Sequence, residues 1–325
     1  MKKYIAVFLL ALFLSGCGNA AEIPPAEPLP STTLAPETIP EAALESEAAV
    51  LTQEVSPPIS VILEPEAPGI AEERCEDAVV DFSNTADGYI MARYLGHTDR
   101  RLKVLVKGPT TTYQYNLPLS EWVVLPLSDG DGTYQAGIYR NTDGSKYAMV
   151  MMAEFEVTLS DDFAPFLRPN QYVNYLNAPA TTQLGAQLCA GLTHPLEKVA
   201  AVYEYVVQNL SYDKEKAATV KSGYLPVLDD VLARKAGICF DYAALMTAML
   251  RCQEVPCKLV VGYAGSTYHA WISVWTEEDG WVDGVIFFDG HSWKRMDPTF
   301  ASSEQNSQEI LDFIENGTYT VKYLY

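Results

Sequence analysis

Residues 237–250, Gly-Ile-Cys-Phe-Asp-Tyr-Ala-Ala-Leu-Met-Thr-Ala-Met-Leu, set one cysteine at the head of a run that is apolar on almost every side. Tyr242, Ala243, Ala244, Leu245, Met246, Ala248, Met249 and Leu250 leave no polar stripe. A helix from Phe240 to Arg251 must therefore lie inside a core. Cys239 then falls at the helix start. The positive end of the helix dipole favours a thiolate there. The unpaired N–H groups of the first turn point the same way and can hold an oxyanion. A free cysteine is otherwise a small core residue, so its company decides the reading. Asp241 suits the first turn electrostatically and reads as structural.

On the N-terminal side, "PLEKVAAVYEYVVQNL" (195–210) places Leu196, Val199, Val202/Tyr203, Val206 and Leu210 on one helical face. Pro195 suits a first helical turn. A short helix is expected within 225–237, ending at Gly237. On the C-terminal side, strands are expected at 257–265, 267–275, 285–289 and 292–299, then a helix at about 303–315 and a last strand at 318–325. Helices followed by an antiparallel sheet make an α+β fold, with the Cys239 helix packed on the sheet. Residues 89–159 read differently. Six β-rich runs, separated by turn signals such as "GHTDR", "SDGDGT" and "RNTDGSK", suggest a small β-sandwich of the immunoglobulin-like kind. "DGDGT" lacks the spaced acidic set of a calcium loop and reads as a turn.

The chain has 325 residues, 48% of them hydrophobic, and a net charge of -20. That acidity argues against nucleic acid as a partner, since phosphate binding needs a basic face. Between residues 18 and 74 there are eleven Glu, one Arg, and no Asp or Lys, a net of -10, together with ten of the 20 prolines. This stretch reads as an extended, unstructured linker. Before it, Lys2 and Lys3 precede an apolar run from Tyr4 to Leu14, too short to span a membrane and typical of an export signal. Leu14-Ser-Gly-Cys17 resembles a bacterial lipobox, which implies lipidation at Cys17 and a place on the outer face of the cell membrane. The expected divisions are 1–16 signal peptide, 17–74 lipidated cysteine and linker, 75–176 β-sandwich, and 177–325 mixed domain. Of the other cysteines, Cys252 and Cys257 could pair, as could Cys75 and Cys189, leaving Cys239 odd. No cysteine–histidine cluster has metal spacing, and no cofactor motif is present.

A thiol nucleophile needs a base, and the chain has four histidines. His97 and His291 lie in turns and His194 opens a helix, all positions usual for solvated residues. His269 lies within a strand, "TYHAWISVW", whose alternation puts His269, Trp271, Ser273 and Trp275 on one face. Asp297 precedes Pro298, which restrains it to extended geometry at a strand end. A carboxylate there could fix the imidazole tautomer.

Cys at a helix start, His in a strand and Asp in a later strand, with "GICFDYA", "YHAWISVW" and "MDPTF", resemble the transglutaminase-like superfamily over roughly residues 190–300. The resemblance implies a papain-type core with Cys239 as nucleophile, His269 as base and Asp297 as its orienter. It implies acyl transfer through a thioester, resolved by water or by an amine. The expected substrate is an extracellular protein or cell-wall peptide, with the lipid anchor tying the protein to the membrane. Papain-like enzymes draw a second oxyanion donor from a Gln six residues before the cysteine. Here that position is Ala233, and Tyr212 is the candidate replacement. Trp271 could line the cleft or fill the core. The competing readings are a non-catalytic binding or scaffolding lipoprotein with a vestigial triad, and a solute-binding lipoprotein, for which repeated βα lobes are missing.

Overall fold

Alternating apolar and polar residues make residues 72–157 a set of eight strands in the computed structural model, which describes residues 59–278, 280–283, 285–288, 293–296 and 318–325. Strands β1 (Glu72–Arg74), β2 (Ala78–Asp81) and β3 (Tyr89–Tyr94) pair antiparallel in order. The chain then crosses to a second sheet for β4 (Leu102–Lys107) and β5 (Thr112–Asn116). It returns with β6 (Val123–Pro126) to pair with β3, and crosses again for the long hairpin β7 (Gly132–Asp143) and β8 (Lys146–Val157). The result is two four-stranded antiparallel sheets, ordered β1-β2-β3-β6 and β5-β4-β7-β8.

Val80, Ile90 and Leu125 from the first sheet share one core with Val104, Ala136 and Ile138 from the second. Phe82 stacks on Phe155 with ring centroids 5.1 Å apart. The β7–β8 turn needs a left-handed residue, which Gly144 supplies at φ +53°. In "DGDGT" the carboxylates hold neighbouring loops. Asp129 accepts from the backbone N–H groups of Thr110 and Thr111, and Asp131 accepts from that of Leu159.

The second half begins with helices α1 (Pro179–Leu188) and α2 (Pro195–Asn209), then the short β9 (Ser211–Tyr212) and helix α3 (Lys214–Thr219). Helix α4 (Leu228–Arg234), the short β10 (Ala236–Gly237) and helix α5 (Cys239–Arg251) follow. Strands β11 (Cys257–Ala264), β12 (Thr267–Thr276) and β13 (Gly280–Asp283) come next, then β14 (Val285–Phe288), β15 (Trp293–Met296) and β16 (Tyr319–Leu324). The main sheet is antiparallel, ordered β13-β12-β11-β16, while β14 and β15 form their own hairpin. Helices and antiparallel strands thus segregate along the chain, as the α+β reading expects.

Every residue of α5 from Asp241 to Arg251 is buried. The cause is its place: α1, α2, α4, β11 and β12 all pack on it. Gly185 lets α1 come close, since a Cβ there would lie 3.0 Å from the Met249 carbonyl oxygen. Helix α2 buries Leu196, Val199, Val202, Tyr203 and Val206, the face its periodicity marks. Its first turn is capped by His194, whose Nδ1 accepts from the Leu196 N–H at 3.2 Å.

The two halves share a single hydrophobic core. Tyr325 sets its ring edge-on to Tyr113 and Tyr115 of β5. Arg251 is 1% exposed and donates to the backbone carbonyls of Cys257, Arg168 and Tyr325 at 2.9, 2.6 and 2.8 Å. Burial lowers its pKa. The last part of the expected linker is held as well. Ser60 Oγ donates to the Thr182 carbonyl, Val61 N–H donates to the Cys252 carbonyl, and β1 pairs with β2.

All five cysteines among the described residues are free, so neither the Cys252–Cys257 nor the Cys75–Cys189 pairing is made. Cys252 lies instead against the Met249 carbonyl, and Cys257 Sγ is 3.6 Å from Thr247 Oγ1. Cys17, the expected helix at about 303–315, and His291 lie outside the described residues. Among the described residues no helix is long and apolar enough to cross a membrane.

Candidate active site

The approach to Cys239 is built by a tight local path. Helix α4 ends at Lys235, which takes the left-handed conformation with φ +51°. β10 then pairs with β9 in parallel, with Gly237 opposite Tyr212. Two backbone bonds fix this pair: Ser211 N–H to the Lys235 carbonyl and Asp213 N–H to the Gly237 carbonyl, both 2.9 Å. Ile238 is extended, and the helix starts at Cys239, which is half-buried. The first-turn N–H groups of α5 therefore surround the thiol-bearing residue. The pairing also brings Tyr212 to the N-terminal end of α5.

Asp241 organises this end of the helix. It is fully buried and receives three hydrogen bonds. The Ile238 N–H donates to Oδ2 at 2.9 Å, Lys216 Nζ donates to Oδ2 at 2.6 Å, and the Tyr224 hydroxyl donates to Oδ1 at 2.6 Å. Lys216 Nζ also donates to the Tyr224 oxygen at 2.7 Å. Burial, then the hydrogen bond to Asp241, raises the Tyr224 pKa. Gly237 makes room for this carboxylate, because a Cβ there would stand 2.7 Å from Asp241 Cβ. Lys216 comes from α3, capped by Asp213, whose Oδ1 accepts from the Lys216 N–H at 2.8 Å. Sequence reasoning took Asp241 as a lone dipole partner and missed Lys216 and Tyr224. The available signal was a carboxylate in an otherwise apolar helix, which needs a cation or donors when buried.

His269 lies in β12, 5% exposed, opposite Gly262 of β11. Its ring stacks on Trp271 at 6.2 Å, and Trp271 meets Tyr319 edge-on at 5.2 Å. A Cβ at 262 would come within 2.8 Å of the Trp271 ring, so glycine is needed there. Ala270, Ile272 and Val274 belong to the hydrophobic core that also holds α5. Trp271 is 4% exposed and acts as a packing residue for His269. The next residue back, Tyr268, is 55% exposed and stacks edge-on with Tyr263 at 5.4 Å. Its pKa is raised, first by its partial burial and then by the neighbouring Tyr323 and Tyr263. Asp297 follows the last residue of β15 in sequence and lies outside the described residues. His97 is exposed, and His194 is a helix cap 3.8 Å from Glu278. Two clefts, of about 460 and 190 Å³, have neither Cys239 nor His269 in their walls.

Residues 182–284 match the family model of the Transglutaminase-like superfamily. The chain is 24% identical over 149 residues to a protein-glutamine gamma-glutamyltransferase of Pseudomonas aeruginosa, covering 41% of this chain and 20% of that protein. It is 25% identical over 169 residues to the uncharacterized protein YebA of Bacillus subtilis, covering 46% and 22%. The chain thus spans about a fifth of the length of these curated relatives. Among solved structures, one similar chain is a candidate cysteine protease from Cytophaga hutchinsonii, with 14% identity, coverage of 79% and 74%, and a TM-score of 0.36. Another is red sea bream transglutaminase, with 13% identity, coverage of 72% and 56%, and a TM-score of 0.27.

Proposed function

From the transglutaminase-like domain in this chain, we propose a cysteine acyl-transfer enzyme, exported and held on the outer face of the cell membrane through lipidated Cys17. The observation that carries the reading is Cys239 in the first turn of α5, the buried helix packed on the strand that bears His269. In this reading the Cys239 thiolate attacks a carboxamide or peptide carbonyl carbon. The first-turn N–H groups of α5 take the developing oxyanion, and the Tyr212 hydroxyl is the second donor. The C–N bond breaks as the His269 imidazolium gives its proton to the leaving amine. A thioester on Cys239 remains. Water or a second amine then attacks it, His269 takes the incoming proton, and the thiolate is released. Asp297 holds the imidazole tautomer and offsets the imidazolium charge. The Asp241–Lys216–Tyr224 group keeps the first turn of α5 in place. The substrate class is an extracellular protein or a cell-wall peptide.

The test supplies a glutamine-containing peptide with a fluorescent primary amine, and follows amine incorporation, ammonia release and peptide cleavage together. Incorporation identifies a cross-linker; ammonia or cleavage without incorporation identifies a hydrolase. Either activity should fall by ~10²-fold or more in Cys239→Ala and His269→Ala. Turnover that survives both substitutions removes the reading. So does turnover absent from the wild type across glutamine-containing and cell-wall peptides, in which case the binding-lipoprotein alternative stands.

A further inference from the structure

The outer face of the sheet β5-β4-β7-β8 carries a cleft of about 460 Å³. Lys103 of β4, Gln114 of β5, Tyr139 of β7 and Tyr147 of β8 line it, with Arg101 and the β7–β8 turn at one end. Its shape has a local cause. The β7–β8 register shifts twice, between Ile138 and Tyr139 and between Asn141 and Asp143. Such irregularities bend a strand and re-aim its side chains. Gly137 then leaves the space that the Tyr139 ring fills, since a Cβ at 137 would stand 2.7 Å from that ring. Tyr139 therefore lies along the sheet and floors the cleft. Each of these side chains is half-buried or exposed, so each is open to a ligand.

The charge of the cleft is opposite to that of the chain. The net charge is -20, yet the wall holds two cations and no carboxylate. Among the described residues neither cation forms an ion pair. Arg101 donates through Nη2 to the Gly144 carbonyl at 3.2 Å, which pins the guanidinium and leaves its other donors for a ligand. Lys103 Nζ is 5.4 Å from the Tyr147 ring centre. Two carboxylates further along β8 are already engaged: Glu154 accepts from Gln135 Nε2 at 2.7 Å and Glu156 from the Thr133 hydroxyl at 2.6 Å. A positive cleft in a negative surface draws an acidic group to one place.

The other wall residues narrow the class of ligand. Tyrosine gives rigid contact area and arginine gives directed bonds, and both are enriched where proteins recognise polypeptides. Ser145 and Gly144 beside them offer adaptable hydrogen bonding. The volume lies within the ~300–1,000 Å³ of ligand sites. We propose that this cleft binds a short acidic segment of a partner polypeptide. Carboxylates of the segment meet Arg101 and Lys103, its side chains pack on Tyr139 and Tyr147, and its backbone reaches Gln114. Neither Cys239 nor His269 lies in the wall, so the site stands independently of the acyl-transfer reading.

The test is fluorescence anisotropy of the full chain with a fluorescein-labelled peptide of alternating glutamate and tyrosine, beside the same peptide with glutamine in place of glutamate. Saturable binding of the acidic peptide, weakening as salt is raised, and much weaker binding of the glutamine form are expected. Arg101→Glu combined with Lys103→Glu turns two attractions into repulsions and should weaken binding about tenfold or more. Tyr147→Ala should weaken it about fivefold, with circular dichroism checking that both variants fold. Cys239→Ala should bind like wild type. The proposal is overturned if the wild type does not bind the acidic peptide, binds both peptides equally, or loses nothing in the folded charge-reversed variant. It is also overturned if inorganic phosphate or polygalacturonate displaces the labelled peptide as readily as the unlabelled peptide does, which would mark a site for a small anion or an acidic glycan.

Discussion

Replacing Asp241 with alanine should destabilise the protein by about 3–5 kcal/mol, the loss typical of removing one partner from a buried charged pair. The number follows from where each partner is left. The Ile238 N–H is in a buried residue, so without the carboxylate it loses its acceptor and incurs roughly 1–3 kcal/mol. The Tyr224 hydroxyl loses a 2.6 Å charge-assisted bond, of the stronger class at about 1.5–3 kcal/mol. Lys216 is the least affected, because its side chain is 23% exposed and can turn to water. Desolvation of Asp241 itself is regained, which keeps the sum near the lower single-digit range. Urea unfolding followed by far-ultraviolet circular dichroism reads the effect. With slopes of ~1–3 kcal/mol per molar urea, the midpoint should fall by about 1–5 M with the slope unchanged. Lys216→Met should also destabilise, because it strands a buried carboxylate, and the double variant should lose less than the sum of the two. A loss under about 1 kcal/mol for Asp241→Ala at normal slope would refute the assignment of Asp241 as the hub of this helix end.

Arg251→Met should remove a buried donor from three backbone carbonyls, with that of Tyr325 still receiving the Leu259 N–H, at a loss of about 3–5 kcal/mol. Because those carbonyls belong to β11, the 168 segment and the chain end at Tyr325, thermal melts should show the β half and the mixed half moving down together; separate transitions would contradict the shared core. Burial pushes the Cys189 and Cys257 thiols from 9.0 up to about 11, so the native state holds these protons more tightly than the unfolded chain. Their stabilising contribution is intact below pH 9.0 and declines as pH rises toward about 11. Urea midpoints measured through that window should drop, and a further drop absent from Cys257→Ala would tie the effect to that thiol. Equal alkylation rates for Cys257 and an unfolded control at neutral pH would contradict its burial.

How much of this was legible depends on how local each cause is. α5 was readable because its apolar residues run all round and no other environment accepts such a helix. α2, β11 and β12 were readable from periodicity. α1 was not, because it buries Thr181 and Thr182 and takes its N-terminal acceptor from far away: Asp229 of α4 accepts from the N–H groups of Ala180 and Thr181. No local cap marks that start. The Asp241 group was hidden for the same reason, since Lys216 and Tyr224 reach it from 25 and 17 residues away. β9 and β10 are two residues each and exist only through pairing with one another, yet they set Tyr212 beside Gly237. The end of the linker was misread because proline and glutamate dominate its composition, while Ser60 and Val61 are held by backbone bonds that composition does not reveal. Of the three residues expected to carry the chemistry, Cys239 and His269 fall on the helix start and the strand that the sequence assigned, and Asp297 lies outside the described residues.

The most direct test of the central claim is the rate at which iodoacetamide modifies Cys239 at neutral pH, mapped peptide by peptide, in wild type, His269→Ala and Asp297→Ala. If Cys239 is the nucleophile and His269 its base, Cys239 reacts faster than half-buried Cys75 and far faster than buried Cys189, Cys252 and Cys257. That lead should fall by about tenfold or more without His269, and by less without Asp297. A Cys239 that reacts no faster than Cys75, or as fast in His269→Ala as in wild type, would contradict the account and return residues 237–250 to the role of core packing.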